Sequence, residues 1–102
     1  MRLSEMMQSN GFWAGDIIAE MMEITKNGDI TDELVNEIAL VAMRRSKLKF
    51  FGFTATEYAL ASLKWVNTSH SLSLFDKLVS DLSEHEKICI NQLVADEVYK
   101  IF

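Results

Sequence analysis

The segment from Glu23 to Leu34 has the spacing of a calcium-binding loop between two helices, and calcium binding is the first chemistry that it suggests. Gly28 falls at the sixth position of such a loop and Ile30 at the eighth, as in an EF-hand. The twelfth position must supply a bidentate carboxylate, and Leu34 occupies it. We therefore expect a capped turn between two helices here, without a metal.

Few other residues have side chains that commonly bind metals or act as nucleophiles. Histidine occurs at His70 and His85, and Cys89 is the single cysteine. Two acids flank His85, but adjacent helix residues point in different directions and do not converge on one metal. No cationic cluster surrounds Cys89, so we expect an unreactive thiol that is either a small core residue or half-buried. The glycines form no phosphate-binding pattern, so we predict no enzyme, no cofactor and no metal site.

The apolar residues recur mostly at helical spacing, which predicts an all-α fold: a compact bundle of five or six short helices in one domain over 1–102. The third and fourth helices are the most apolar and should be central. Only Ser83 separates the last two, which are therefore either two helices or one bent helix. A little β-character occurs at 48–53. Five of the predicted helices cover 3–8, 13–26, 55–66, 72–82 and 84–99. The third predicted helix begins at 32, ends in the basic residues 44–49 and is terminated by Gly52.

Capping residues fix several predicted helix ends. Gly28 suits a left-handed cap at the end of the second helix. Thr31 precedes two acids and is a good N-cap for the third helix. Thr54 and Glu57 have the spacing of a capping box, and Ser83 begins a second one. Most helix starts are therefore predictable from local sequence.

Composition and charge restrict the class of function. The chain has 102 residues, 49% of them hydrophobic, no proline and a net charge of −5. No apolar run is long enough to span a bilayer, so we expect a cytoplasmic protein. Residues 1–43 carry two basic and eight acidic side chains, whereas residues 44–49 carry four basic and no acidic ones. An acidic protein is a more natural partner for a basic protein than for DNA.

We therefore predict a non-catalytic interaction protein, an inhibitor or adaptor that binds a basic surface of a partner protein, which could itself handle nucleic acid. Methionines and aromatics of the N-terminal half belong either to the core or to an interface, which would include a homodimer interface. The predicted partner-binding residues are Asp16, Glu20, Glu23, Asp29, Asp32, Glu33, Glu37, Trp13, Met21 and Met22.

The alternative is a small nucleic-acid-binding transcriptional regulator. Arg44, Arg45, Lys47 and Lys49 precede two phenylalanines, a combination that suits phosphates and stacked bases. The competing interpretation is that these cations complement a helix dipole. In size, acidity and helicity the chain resembles the small acidic proteins of bacteria and phages, among them immunity proteins and phage proteins that block host defence. This resemblance is of class only and carries no motif.

Overall fold

One helix, Ala55–Val66, packs against most of the others and forms the centre of the protein. The structure is a computed structural model that describes residues 3–8, 14–28, 30–45, 47 and 49–101. Within these residues the order is α1 Leu3–Gln8, α2 Ala14–Asn27, α3 Asp32–Met43, β1 Lys49–Phe50, β2 Phe53–Thr54, α4 Ala55–Val66, α5 Ser69–Val79, α6 Glu84–Asp96 and a 3₁₀ helix Val98–Ile101. The predicted all-α bundle is confirmed.

The core lies between α4 and the four helices α2, α3, α5 and α6 that contact it. Every residue of α4 from Ala55 to Leu63 is buried, as is half of α3, which confirms that these two helices are central. The short helix α1 packs on α2 and α3, and its Leu3 and Met6 are buried in this core. These two side chains are therefore used inside one subunit and are not displayed to a second one.

The predicted caps begin the helices as expected. The Thr31 hydroxyl accepts a hydrogen bond from the Leu34 amide at the start of α3. Thr54 and Glu57 form a reciprocal capping box before α4, and Ser83 forms another before α6. Gly28 has the left-handed backbone (φ +79°) that its place after α2 predicts.

The end of α3 differs from the prediction. It ends at Met43 and does not continue through the basic residues to Gly52. A two-stranded antiparallel hairpin follows, in which Lys49 pairs with Thr54 and Phe50 with Phe53. Phe51 and Gly52 both have positive φ, +53° and +85°, as a two-residue hairpin turn requires. Gly52 therefore turns a hairpin and does not terminate a helix.

The last two helices are separate, since α5 ends at Val79 and α6 begins at Glu84. α6 ends at Asp96, a few residues before its predicted end near Tyr99. Glu97 adopts a left-handed conformation (φ +47°), and the 3₁₀ helix follows. Among the described residues, no helix has the length and apolarity needed to span a membrane.

Candidate functional site

Three acidic side chains of α2 form a stripe directed away from the core. Asp16, Glu20 and Glu23 are spaced four and three residues apart, so at about 100° per residue they lie within roughly 60° of one another. Glu23 is exposed, and Asp16 and Glu20 are half-buried. The opposite side of α2 is the buried one, at Ile18 and Thr25. We call Asp16, Glu20 and Glu23 the acidic stripe.

The remaining predicted acids divide into two groups. Asp32 and Glu33 are exposed in the first turn of α3, just beyond the connection that follows the acidic stripe. Glu37 is only 5% exposed and faces the core side of α3, so its assignment to a partner surface is wrong. Asp29 and Trp13, also predicted to bind a partner, lie outside the described residues.

Met21 and Met22 are fully buried and belong to the core. Their assignment to a partner-binding surface is therefore wrong, and the core alternative is confirmed. The physical reason is the width of the buried face of α2, where Ile18 and Thr25 are buried as well. These four positions, three of them apolar, form the buried face of α2, and the three acids lie on its other side.

The four predicted basic residues are all exposed, but they do not lie on one helix. Arg44 caps the end of α3, Arg45 has a left-handed backbone (φ +54°), and Lys47 follows in an irregular segment. Lys49 is the first residue of β1. The cations are therefore strung along the connection that leads into the hairpin.

The hairpin presents an aromatic ring to solvent. Phe51 is 80% exposed, and its ring centroid is 4.5 Å from that of Phe50. The backbone at position 51 has positive φ. Asparagine and glycine adopt this left-handed region readily, whereas a residue with a bulky side chain is strained there. Turn formation alone does not explain a phenylalanine at this position.

Next to that ring lies an apolar cavity of about 280 Å³. The hairpin, α4, α6 and the 3₁₀ helix all contribute to it, and Ile101 on its edge is 82% exposed. The Tyr58 hydroxyl donates to the Phe50 carbonyl, 3.0 Å away, and the phenol pKa is raised by burial and by the nearby Glu57. The cavity lining consists of Phe51, Phe53, Tyr58, Leu93, Val98 and Ile101. We call this cavity with its exposed edge the hairpin face.

A wider groove adjoins the hairpin face on the side of α6. It contains Lys49, Asp96, Cys89 and His85, together with Ile88, which is 63% exposed. The Cys89 sulfur is 3.7 Å from Nε2 of His85. Burial, followed by the carboxylates of Glu57 and Glu86, raises the pKa of the Cys89 thiol. Cys89 is therefore neutral at neutral pH and is not an activated nucleophile.

The histidines have ordinary structural surroundings. Nε2 of His70 is 2.6 Å from Oδ1 of Asn36, a hydrogen bond that joins α5 to α3. His85 is exposed on α6. Across the part of the chain that the structure describes, no three His, Cys, Asp or Glu side chains are grouped so that they could hold a metal ion.

Sequence reasoning missed the hairpin face. The signal was the segment Phe50 to Phe53, in which a glycine follows two aromatic residues and a third aromatic comes next. Such residues favour strands, and glycine suits the turn between them. The adjoining groove had a signal of its own, since the four-residue spacing of His85 and Cys89 predicts their proximity on one helix face. Comparison with known proteins gave no match to this chain, whether with protein-family models, curated proteins or solved structures.

Proposed function

We propose that this chain is a non-catalytic interaction protein of the cytoplasm that binds a basic surface of a partner protein and acts as an inhibitor or adaptor. The observation that supports the proposal is the acidic stripe, because it aligns three carboxylates on the side of α2 opposite the core. Asp32 and Glu33 add two exposed carboxylates in the next helix. Predominantly acidic charge of this kind, to which Lys26 at the end of α2 is an exception, accelerates encounter with a basic surface and disfavours acidic partners.

The test begins with affinity capture of partners from the native cell by the full chain, followed by mass spectrometry. Binding of the captured partner is then measured for Glu20→Lys/Glu23→Lys over a range of salt concentrations. We expect the affinity at low salt to fall at least tenfold. The affinity should also depend less on salt concentration, because exposed charges at an interface act mainly through long-range attraction.

The control is Asp76→Lys/Asp81→Lys, which makes the same change of net charge at two exposed acids elsewhere. This variant should keep nearly the affinity of the wild-type chain. Equal losses in both double variants would show that net charge and not the stripe determines binding. Unchanged affinity in the Glu20/Glu23 variant would contradict the proposal.

A second candidate is nucleic-acid binding by the basic connection. It is supported by the exposure of Arg44, Arg45, Lys47 and Lys49 and by the exposed ring of Phe51 close to them in sequence. Cations contribute phosphate contacts and an aromatic ring contributes base stacking. Filter binding at low salt tests it with single-stranded and duplex DNA and with RNA. Retention should be lost in Arg45→Glu/Lys47→Glu, and no retention of the wild-type chain at micromolar concentration would remove this candidate.

A further inference from the structure

We propose that two copies of this chain associate through the hairpin face, with Phe51 of each copy seated in the apolar cavity of the other. This inference is independent of the proposed function, because it uses a different surface and a different partner. Its first support is Phe51 itself. The side chain is 80% exposed and its backbone is left-handed, so neither burial within the monomer nor turn geometry explains a phenylalanine there.

The second support is a cavity suited to such a ring. Its volume is about 280 Å³, and an apolar cavity of about 150 Å³ is enough to hold benzene. The described lining is aromatic and aliphatic, and the hydroxyl of Tyr58 within it donates to the Phe50 carbonyl. A phenyl ring entering the cavity therefore gains apolar contacts and leaves that hydroxyl bonded.

The position of the ring beside the cavity indicates a second copy as the occupant. Phe51 lines the edge of the cavity, so the projecting group and its receptor share one face. A two-fold axis uses the same patch on both subunits and requires that patch to be self-complementary. Rotation about such an axis places each Phe51 over the other copy's cavity, with the exposed Ile101 beside it.

The charges around the face also fit a second copy. The adjoining groove contains Lys49 and Asp96, both exposed and of opposite sign. Nearby, Lys100 pairs with Glu97 within the chain. A strongly acidic or strongly basic partner would meet one like charge at this groove, whereas a second copy can set its Lys49 against Asp96 and its Asp96 against Lys49.

The expected dimer is weak and leaves the acidic stripe uncovered. Among the described residues, the exposed apolar side chains at this face and groove are Phe51, Ile101 and Ile88, which is less than a standard interface supplies. We therefore expect dissociation constants in the micromolar range. None of the lining residues that the structure describes belongs to α2, so we expect each dimer to present two acidic stripes.

Sedimentation velocity of the full chain from low micromolar to near-millimolar concentration tests the inference. The mass should rise from 11.6 kDa towards twice that value. Phe51→Asn removes the ring but keeps a residue that the turn accepts, so it should stay folded and monomeric at every concentration. Met43→Asn alters an exposed apolar side chain on α3, outside the lining of the cavity and the groove, and should dimerise like the wild-type chain.

Charge exchange supplies a second measurement. Lys49→Asp and Asp96→Lys should each weaken association about tenfold, and the double variant should restore it, because the two contacts would be re-formed with their signs exchanged. A monomeric wild-type chain at the highest concentration would overturn the proposal. So would dimerisation of Phe51→Asn equal to that of the wild-type chain. A chain that binds an apolar dye in the cavity while remaining monomeric would show that the cavity takes another ligand, and would also overturn it.

Discussion

The phenol of Tyr58 donates a hydrogen bond to the backbone carbonyl of Phe50, with 3.0 Å between the two oxygens. This bond ties the first strand of the hairpin to α4, the central helix. The Tyr58 and Phe53 rings also meet edge to face, with centroids 6.0 Å apart. The strands below the exposed tip of the hairpin are therefore held against α4 by the buried side chain of Tyr58.

Tyr58→Phe should lower the free energy of unfolding by about 1 kcal/mol at pH 7, because the Phe50 carbonyl loses its side-chain donor. The contribution of Tyr58 should also depend on pH. Burial raises the pKa of the folded phenol above its ordinary value of 10.0, so its stabilisation is complete below that pH and is lost as the pH rises through and beyond it. Urea unfolding of both proteins at pH 7 and pH 11 measures the difference. A difference that grows with pH would contradict this account.

Ser62→Ala should stabilise the protein by about 1 kcal/mol. Ser62 is fully buried in α4, and within the described residues its hydroxyl has no hydrogen-bond partner. Removing an unsatisfied buried hydroxyl removes a desolvation cost. Ser71→Ala is the matched control, because Ser71 is equally buried but its hydroxyl donates to the Thr68 carbonyl and accepts from the Thr68 amide. The midpoints of thermal and urea unfolding should rise for Ser62→Ala and fall for Ser71→Ala.

The two turn residues of the hairpin should respond oppositely to substitution. Gly52→Ala should destabilise the monomer by about 1 kcal/mol, because φ is +85° there even though the added methyl group meets nothing within 4 Å. Phe51→Asn should stabilise the monomer by up to about 1 kcal/mol, since asparagine tolerates the left-handed region better. Unfolding is measured at low micromolar concentration, where a weak dimer dissociates. Destabilisation by Phe51→Asn would show that the ring contributes more to the monomer than its exposure suggests.

Alkylation of Cys89 should have an alkaline midpoint. Because burial and neighbouring carboxylates raise its pKa, the rate with iodoacetamide should reach half its maximum above pH 9.0. Glu86→Gln should lower that midpoint, since Glu86 is one of the carboxylates that raise the pKa and its amide replacement keeps the size of the side chain. A midpoint below 9.0 in the wild-type chain would contradict the assignment of Cys89 as an unactivated thiol.

Local signals in the sequence predicted much of the fold. Thr54 and Glu57 are three residues apart, and their capping box depends on no distant contact, so the start of α4 was predicted correctly. The connection from Arg44 to Gly52 was not, because cations at a helix end and a glycine after it are equally typical of a longer helix. The hairpin there is supported by Tyr58, whose bond to Phe50 spans segments that only folding brings together.

The candidate surfaces were less predictable for a related reason. The outward position of the acids on α2 is predictable from helical periodicity, because Ile18 lies on the buried side and Glu23 lies nearly opposite to it. Glu37, in contrast, is buried although acids on helices are usually exposed, and its burial depends on what α3 packs against. The cavity beside Phe51 needs α6 and the 3₁₀ helix to meet the hairpin, which no spacing in the sequence shows.

The capped starts of α4, α5 and α6 bear on how quickly the chain reaches this structure. Each of these helices begins at a side chain directly before it, Thr54, Thr68 and Ser83. α4 also packs on both of its neighbours in sequence, α3 and α5. Much of the core therefore forms between segments that are close along the chain, where closing the intervening loop costs little entropy. Contacts between neighbouring segments favour fast folding, and the contacts of α4 with α3 and α5 are of this kind.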